Sequence, residues 1–366
     1  MKADELLKYQ PFSLEEEEKQ VLFKEAIAET LVGHYEGNEL FRQYCVKNGF
    51  DPRNGISSLG DIPYIPIQLY KKCSFLTVKE EEIVDIRKSS STSTGMPSVV
   101  HRDAITMERY RISRNMIFDD FIDDRNKTHI CIGEDPEFNK GASRNLINSL
   151  IAERSGSAET YYLIKDKEDK FKVDLDMFLG LLEEARQKDK PVGLIFGGTA
   201  IIYLFLIKPL LERGVKLDYS GYIAHGGGWK KLQDQQVSKE IFNRDLRNVL
   251  NCPESHIVDM YGFAEANSMF IDCEAGYKHV PVWNEVIIRD PLNMKPVEKG
   301  ERGIVQILDA LPHSYAGASL LTDDIGYIST EKHCPCGRKG SAFKVLRRAL
   351  GSEAKGCGDM MVDKMK

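Results

Sequence analysis

The sequence predicts an α/β protein that has open α/β sheets and a small β subdomain near its C-terminal end. Three observations predict this fold. Between residues 129 and 260, short apolar runs alternate with longer helical patterns, which is typical of βαβ units. Several runs end in polar, glycine-containing segments, and from Val280 onward only strand patterns follow. A chain of 366 residues has room for a large α/β domain and a smaller unit.

The N-terminal part is predicted to contain two helices and an extended connector. Ser13 and Glu16 form a capping-box pattern, which starts a helix that reaches about Leu31. Residues 61–66 contain two closely spaced prolines and are therefore expected to be extended. Residues 103–121 have a helical composition and lead into the alternating region.

The alternating region gives the order of strands and helices in the sheet. The predicted strands are 129–132, 160–164, 192–196, 221–224 and 257–260. The predicted helices are 144–152, 175–188, 199–212 and 231–250. The later strands, 285–289, 303–308 and 326–329, are expected to form the β subdomain. Open α/β sheets bind ligands beyond the carboxyl ends of their strands, so a site is expected there.

Composition describes a soluble globular protein and excludes two classes of function. Hydrophobic residues make up 42% of the chain and charged residues 29%. The net charge of −6 argues against a nucleic-acid-binding protein. Residues 191–207 are uncharged, but Pro191 and three glycines interrupt them, so we expect a strand, a turn and a buried helix rather than a membrane span. The N-terminus lacks an apolar signal sequence, which favours a cytoplasmic location and reduced cysteines.

The most distinctive motif is a hydroxyl-rich stretch, Ser-Ser-Ser-Thr-Ser-Thr-Gly-Met-Pro-Ser, from Ser89 to Ser98. Its hydroxyl groups and Gly95 suit a loop whose backbone N–H groups surround a phosphate. The stretch does not match the common nucleotide motif G-x-x-x-x-G-K-[ST], and a flexible linker is the alternative interpretation. The remaining motifs decide between the two.

Three further polar segments follow predicted strands. They are the triglycine Gly226-Gly227-Gly228, the pentapeptide Tyr261-Gly262-Phe263-Ala264-Glu265, and Thr322-Asp323-Asp324 in the β region. Taken in order with the hydroxyl stretch, they resemble the motifs of adenylate-forming enzymes, the superfamily of acyl-CoA and aryl-CoA ligases. The resemblance implies the large-domain architecture of that superfamily for residues 1–346, with the β subdomain at about 280–346 and a short tail at 347–366.

The resemblance also implies ATP and Mg²⁺ as cofactors and a role for each motif. Glu265 would hold Mg²⁺, and Asp324 would bind the ribose, with Asp323 as the alternative ligand. Tyr261 would pack on the adenine while the triglycine lets the backbone approach its edge. Arg338 would contact phosphate or ribose. The implied nucleotide-binding residues are Ser91, Thr92, Ser93, Thr94, Gly95, Gly226, Gly227, Gly228, Tyr261, Gly262, Asp323, Asp324 and Arg338.

The sequence departs from the superfamily pattern in three ways. Ser98 replaces the usual lysine of the phosphate loop, and Ala264 replaces the usual threonine before the glutamate. The usual mobile C-terminal domain, which carries a catalytic lysine, is expected to be lacking because the chain stops at Lys366.

The end of the chain points to a narrower family. Residues 61–66 and 334–338 resemble the phenylacetate-CoA ligase branch, and residues 351–358 resemble the acyl-protein synthetases of bacterial bioluminescence operons (LuxE type). That resemblance implies that a long-chain fatty acid is adenylated and then moved to Cys357, for delivery to an acyl-protein reductase that makes fatty aldehyde. An acyl-transferase subunit is a further partner that the resemblance leaves open.

Cys357 has neighbours that suit an acyl acceptor. Gly356 and Gly358 give its backbone freedom, and Lys355 favours the thiolate, which is the nucleophilic form. Lys355 could instead replace the catalytic lysine of the mobile C-terminal domain. The alternative for Cys357 is an unreactive cysteine without a function. Two other functions stay open: transfer of the acyl group to an external thiol such as coenzyme A, and a non-catalytic nucleotide-binding subunit of a reductase.

Four residues form a candidate zinc site, namely Cys273, His279, Cys334 and Cys336. Three cysteines and a histidine make a tetrahedral ligand set with no open position, so the zinc would be structural. His333 could take the place of His279. The remaining cysteines are expected to be core or surface thiols, and they are Cys45, Cys73, Cys131 and Cys252.

Overall fold

The chain divides into two units. Unit 1 comprises Met1–Asp120 and Phe263–Lys366, and unit 2 comprises Phe121–Gly262. The structure is a computed structural model that describes residues 1–89, 97–138, 143–164 and 173–348. The expected tail, 347–366, lies almost wholly outside the described residues, so the boundary at 346 stays a prediction.

The first segment of unit 1 is mainly helical and ends in a two-stranded antiparallel hairpin followed by a long helix. Its elements are α1 (Lys2–Leu6), α2 (Glu16–Gly37), α3 (Glu39–Lys47), β1 (Ile65–Pro66), β2 (Ile83–Lys88), β3 (Val99–Asp103) and α4 (Ala104–Phe121). A 3₁₀ turn, Ile67–Lys71, follows β1. Strands β2 and β3 pair with each other and flank the hydroxyl stretch. Asp103 caps α4, because its Oδ1 accepts a hydrogen bond from the Thr106 N–H at 2.8 Å.

Unit 2 is built around a parallel sheet. Its elements are β4 (Thr128–Glu134), α5 (Ser143–Glu153), β5 (Thr160–Ile164), α6 (Leu175–Lys188), β6 (Val192–Gly198), α7 (Thr199–Ile202), a π-helical turn (Tyr203–Ile207), α8 (Lys208–Glu212), β7 (Tyr222–Gly226), α9 (Lys239–Leu250) and β8 (Ile257–Tyr261). Within the unit the strands lie in the order β5-β4-β6-β7-β8. Strand β6 is apolar along its length because both of its faces are covered, as is usual in parallel sheets.

The second segment of unit 1 supplies an antiparallel sheet. Its strands are β9 (Phe270–Ile271), β10 (Lys278–His279), β11 (Asn284–Arg289), β12 (Gly303–Asp309), β13 (Ser319–Ile328) and β14 (Ala342–Arg348). The sheet has the order β10-β14-β13-β12-β11, and the short β1 pairs in parallel with β13. The chain after residue 280 therefore forms the predicted β structure.

Three predicted boundaries were wrong. Helix α2 begins at Glu16 without a side-chain cap, because the Ser13 hydroxyl donates to the Gln10 carbonyl instead. The predicted helix 231–250 is divided into a 3₁₀ turn and α9, which the Ser238 side chain caps. The strand predicted at 326–329 is only the end of β13, which begins at Ser319.

The apolar segment 191–207 folds as predicted, as strand β6 followed by buried helical turns. Among the described residues, we find no helix with both the length and the apolar character that crossing a membrane requires.

Candidate active site

The ends of the hydroxyl stretch are joined to each other by two hydrogen bonds. The Ser89 N–H donates to the Ser98 carbonyl at 2.9 Å, and the Ser98 N–H donates to Ser89 Oγ at 2.9 Å. Ser98, which stands in place of the usual lysine, is 1% exposed. It therefore closes the base of the stretch instead of offering a charge. The predicted ligands Ser91, Thr92, Ser93, Thr94 and Gly95 lie outside the described residues.

Glu265 is a buried carboxylate beside this base. Its side chain is 5% exposed, and burial raises its pKa above the ordinary value for glutamate. The Ser98 side chain and the positive charges of Lys71 and Arg102 act in the opposite direction. Desolvation is the largest of these effects, so the described residues compensate only part of the cost of burying the negative charge of this carboxylate. Such an oxygen ligand suits a hard cation such as Mg²⁺.

The two adjacent aspartates of β13 have different partners. The Asp323 carboxylate accepts a hydrogen bond from Gln68 Nε2 in the 3₁₀ turn that follows β1. Asp324 lies opposite Arg348 on β14, with 3.9 Å between Asp324 Oδ1 and Arg348 Nε. The Asp324 N–H donates to Thr322 Oγ1 at 3.1 Å. Both candidate ribose ligands therefore have a described side-chain partner, and the choice between them stays a prediction.

In unit 2, the structure brings the triglycine and Tyr261 to the same edge of the parallel sheet. Strand β7 ends at Gly226, which lies opposite Met260 on β8, one residue before Tyr261. A Cβ at Gly226 would lie 2.7 Å from the Met260 carbonyl oxygen, so only glycine fits there. Gly227 and Gly228 have φ values of +81° and +62°, which glycine adopts without strain. Gly262 follows at the end of β8.

Arg338 lies in unit 1 and contacts acidic groups. Its Nε and Nη2 donate to the Asp120 carboxylate and carbonyl, and its Nη1 lies 3.5 Å from Glu274 Oε2. The contacts described for it therefore tie the segment after Cys336 to the end of α4. Its predicted contact with nucleotide stays a prediction.

The four predicted zinc ligands converge in unit 1. The ligand atoms of Cys273, His279, Cys334 and Cys336 all lie within 4.8 Å of one another. Cys273 Sγ lies 3.6 Å from Cys334 Sγ, and Cys336 Sγ lies 3.2 Å from His279 Nε2. A tetrahedral zinc ion with Zn–S bonds of about 2.3 Å separates its sulfur ligands by about 3.8 Å. The arrangement fits such an ion, and it includes His279 rather than His333.

Comparison with known proteins decides the family. The model of the family "Acyl-protein synthetase, LuxE" matches residues 2–366. The chain belongs to the LuxE acyl-protein synthetase family. It is 30% identical over 332 residues to the long-chain-fatty-acid–luciferin-component ligase of Vibrio harveyi, covering 88% of this chain and 83% of that protein. The corresponding ligase of Aliivibrio fischeri is 27% identical over 354 residues, covering 95% and 89%.

Solved structures show the fold of this LuxE family member. It is similar to a 2-hydroxyisobutyryl-CoA ligase in the postadenylation state, with a TM-score of 0.66 and 14% identity over 93% of this chain and 69% of that one. A long-chain-fatty-acid-CoA ligase from Archaeoglobus fulgidus has a TM-score of 0.51 and 13% identity, covering 74% and 52%. The predicted α/β architecture of the adenylate-forming enzymes is therefore confirmed.

The described cysteines outside the cluster are buried or partly buried thiols, as the sequence predicts for this LuxE family member. Burial raises the pKa of Cys45 to about 12 and that of Cys252 to about 11. Thiols with such values stay protonated and are poor nucleophiles. The predicted acceptor Cys357 and its neighbour Lys355 lie outside the described residues.

Sequence reasoning missed two groups that the structure places around the predicted residues. Gln68 holds Asp323, and Arg102 Nη2 donates to the Ala264 carbonyl at 3.0 Å. Arg102 shares the buried face of β3 with Val100. An arginine at an apolar position of the alternation was the only signal in the sequence that could have indicated it.

Proposed function

We propose that this chain activates a long-chain fatty acid with ATP and then carries the acyl group on its own Cys357. In the first step a fatty-acid carboxylate oxygen attacks the α-phosphorus of ATP. The bond to the β-phosphate oxygen breaks, and acyl-AMP and pyrophosphate form. Membership of the LuxE family supports this reaction, as do the named activities of the relatives in Vibrio harveyi and Aliivibrio fischeri.

The observation that carries the proposal is the buried Glu265 beside the closed base of the hydroxyl stretch. Glu265 would hold Mg²⁺, whose charge would neutralise the developing pyrophosphate. Residues 91–95 would supply N–H and hydroxyl donors to the phosphates. Little acid–base chemistry is required, so positioning and electrostatic stabilisation supply most of the catalysis.

The remaining nucleotide contacts are proposed from the motif that each residue belongs to and from its contacts in the structure. Asp324 is the ribose ligand in this proposal because it matches the aspartate of the superfamily motif, and Asp323, which accepts a hydrogen bond from Gln68, is the alternative. Tyr261 would pack against the adenine, and Gly226, Gly227, Gly228 and Gly262 would let the backbone approach it. Arg338 is retained as a phosphate or ribose contact only if ligand binding releases it from Asp120.

In the second step the Cys357 thiolate attacks the carbonyl carbon of acyl-AMP. The C–O bond to the phosphate breaks, AMP leaves, and a thioester remains on the protein. Lys355 would favour the thiolate form. The thioester is the form that an acyl-protein reductase would accept and reduce to aldehyde.

A labelling experiment tests both steps. The purified protein is incubated with radiolabelled tetradecanoic acid and MgATP, and label that survives denaturing electrophoresis is treated with neutral hydroxylamine. We expect hydroxylamine-sensitive label on the wild type and none on Cys357→Ser, which should still make acyl-AMP. Glu265→Gln should form neither product.

Each alternative predicts a different outcome. Label that persists on Cys357→Ser would refute the acceptor role. Pyrophosphate release that occurs only with coenzyme A or another thiol would indicate a ligase that uses an external acceptor. A wild-type protein that forms no acyl-AMP, even with a reductase present, would indicate a non-catalytic subunit.

We also infer that Cys273, His279, Cys334 and Cys336 hold a structural zinc ion. The convergence of three thiols and one imidazole supports this assignment. The ion would join Cys273, which precedes β10, and His279, the last residue of β10, to the connection between β13 and β14. With four protein ligands it would leave no position for substrate.

A further inference from the structure

We propose that Arg102 is a positioning residue for the adenylation step. It fixes the backbone that carries Glu265 against β3, the strand that follows the hydroxyl stretch. This inference rests on the proposed function, because it takes Glu265 as the ligand of Mg²⁺. Arg102 itself is not placed in contact with substrate.

The direct contact joins Arg102 to the residue next to Glu265. Arg102 is 1% exposed, and its Nη2 donates to the Ala264 carbonyl oxygen at 3.0 Å. A hydrogen bond from a charged, buried guanidinium is among the stronger ones in proteins. A shift of the Ala264 carbonyl would move the Glu265 backbone with it, since the two share a peptide unit.

The guanidinium is held from two other sides. Its centre lies 4.8 Å from the centroid of the Tyr110 ring on α4, and its Nη1 lies 3.6 Å from Asp85 Oδ2 on β2. Arg102 Nε and Nη1 have no hydrogen-bond partner among the described residues. A buried guanidinium in which two nitrogens make no hydrogen bond is a poor way to stabilise a fold. Its fixed orientation toward Ala264 therefore points to a functional reason.

Strand β3 and the residue before it connect the base of the hydroxyl stretch to the backbone beside Glu265. Ser98, directly before β3, closes the hydroxyl stretch onto Ser89, because its N–H donates to Ser89 Oγ at 2.9 Å. Arg102, four residues later, holds the adjoining carbonyl. The short segment from Ser98 to Arg102 is thus bonded both to the base of the stretch and to the backbone that carries Glu265, which would hold Mg²⁺.

Arg114 provides a matched control. It is 5% exposed, and its guanidinium lies 4.0 Å from the centroid of the same Tyr110 ring. Its Nη1 lies 3.2 Å from Met269 Sδ rather than from the backbone beside Glu265. Replacing Arg114 therefore removes a comparable buried guanidinium without breaking the link to Ala264.

The test is fatty-acid-dependent ATP–pyrophosphate exchange measured over a range of Mg²⁺ concentrations, with thermal unfolding as a check of folding. We expect R102Q to lower kcat and raise the half-saturating Mg²⁺ concentration, each about 10- to 100-fold, as for other residues that orient metal ligands. The KM for fatty acid should not change. R102K should recover part of the loss, because an ammonium can still donate to the Ala264 carbonyl. R114Q should keep the wild-type Mg²⁺ dependence.

Equal shifts of the Mg²⁺ dependence in R102Q and R114Q would overturn the inference, as would an R102Q that is less stable but has unchanged Mg²⁺ dependence. If R102Q does not fold, R102K decides: a raised half-saturating concentration supports the inference and an unchanged one overturns it. A wild-type protein without exchange would refute the proposed function itself, and the inference with it.

Discussion

At the scale of single residues, the two adjacent aspartates of β13 can be separated by experiment. We expect Asp324→Asn to raise the KM for ATP about 10-fold, which corresponds to the loss of one charge-assisted hydrogen bond to the ribose. Asp323→Asn should have a smaller effect, because the Asp323 carboxylate is bonded to Gln68. Initial rates of pyrophosphate exchange at varied ATP measure both. A larger effect at Asp323 would reverse the assignment.

Some of these residues were predictable from sequence and others were not. The convergence of the Cys/His cluster was predicted from its residue types, and Glu265 was singled out because its motif resembles that of the adenylate-forming enzymes. The roles of Gln68, Ser98 and Arg102 depend on contacts with residues far away in the chain. No local pattern encodes such contacts, so only the structure could identify them.

At the scale of secondary-structure elements, the junction of β3 and α4 should give the protein a distinct acid sensitivity. Burial raises the pKa of Asp103, but hydrogen bonds from His313 and Thr106 outweigh it and hold the value at about 2. His313 Nδ1 lies 2.6 Å from Asp103 Oδ2. An unfolded aspartate titrates near pH 3.9, so the junction stabilises the fold above about pH 4, and this stability is lost as the pH falls toward 2.

Asp103→Asn should abolish this part of the pH dependence while keeping the cap of α4. Denaturant unfolding at several pH values between about 2 and 5 measures it, and the curve of the variant should be flatter than that of the wild type. Asp103→Ala should in addition lose the cap, for a further loss of about 1 kcal/mol. If the free energy of unfolding of Asp103→Asn depends on pH as steeply as that of the wild type, the effect assigned to Asp103 and His313 is contradicted.

The connection between β13 and β14 should depend on metal. Elemental analysis is expected to find one zinc ion per chain in the wild type and little in Cys334→Ser, whose thermal unfolding midpoint should fall, since bound metal stabilises the folded state. Cys73→Ser is the matched control, because Cys73 is partly exposed and lies outside the cluster. A folded wild-type protein without zinc would rule out the site.

The elements themselves were predicted best where one periodicity dominates. Helix α6 and strand β5 have the predicted bounds, because clear turn residues limit a single apolar pattern. Strand β13 was recognised only at its end, since Thr322, Asp323 and Asp324 interrupt the alternation. Backbone pairing with β12 and β14 on both sides keeps that segment extended despite its polar residues.

At the scale of the whole molecule, the predicted roles are distributed along the chain. The adenine candidates belong to unit 2, whereas Glu265, Asp324 and the metal cluster belong to unit 1. Cys357 follows the last described strand by nine residues. Because activation and acceptance are assigned to one polypeptide, the chain itself is a substrate of the second step, and this limits its turnover.

That limit gives a stoichiometric prediction. Without an acceptor, the wild type should release pyrophosphate in a burst and then stop, because each Cys357 accepts a single acyl group and the next acyl-AMP stays bound. Addition of a reductase with its reductant, or of hydroxylamine, should restore steady release. Cys357→Ser should keep the exchange reaction but form no acyl-protein. A coupled assay measures the pyrophosphate released, and counting of protein-bound label measures the acyl-protein formed. Steady release that requires only coenzyme A would contradict an acceptor within the chain.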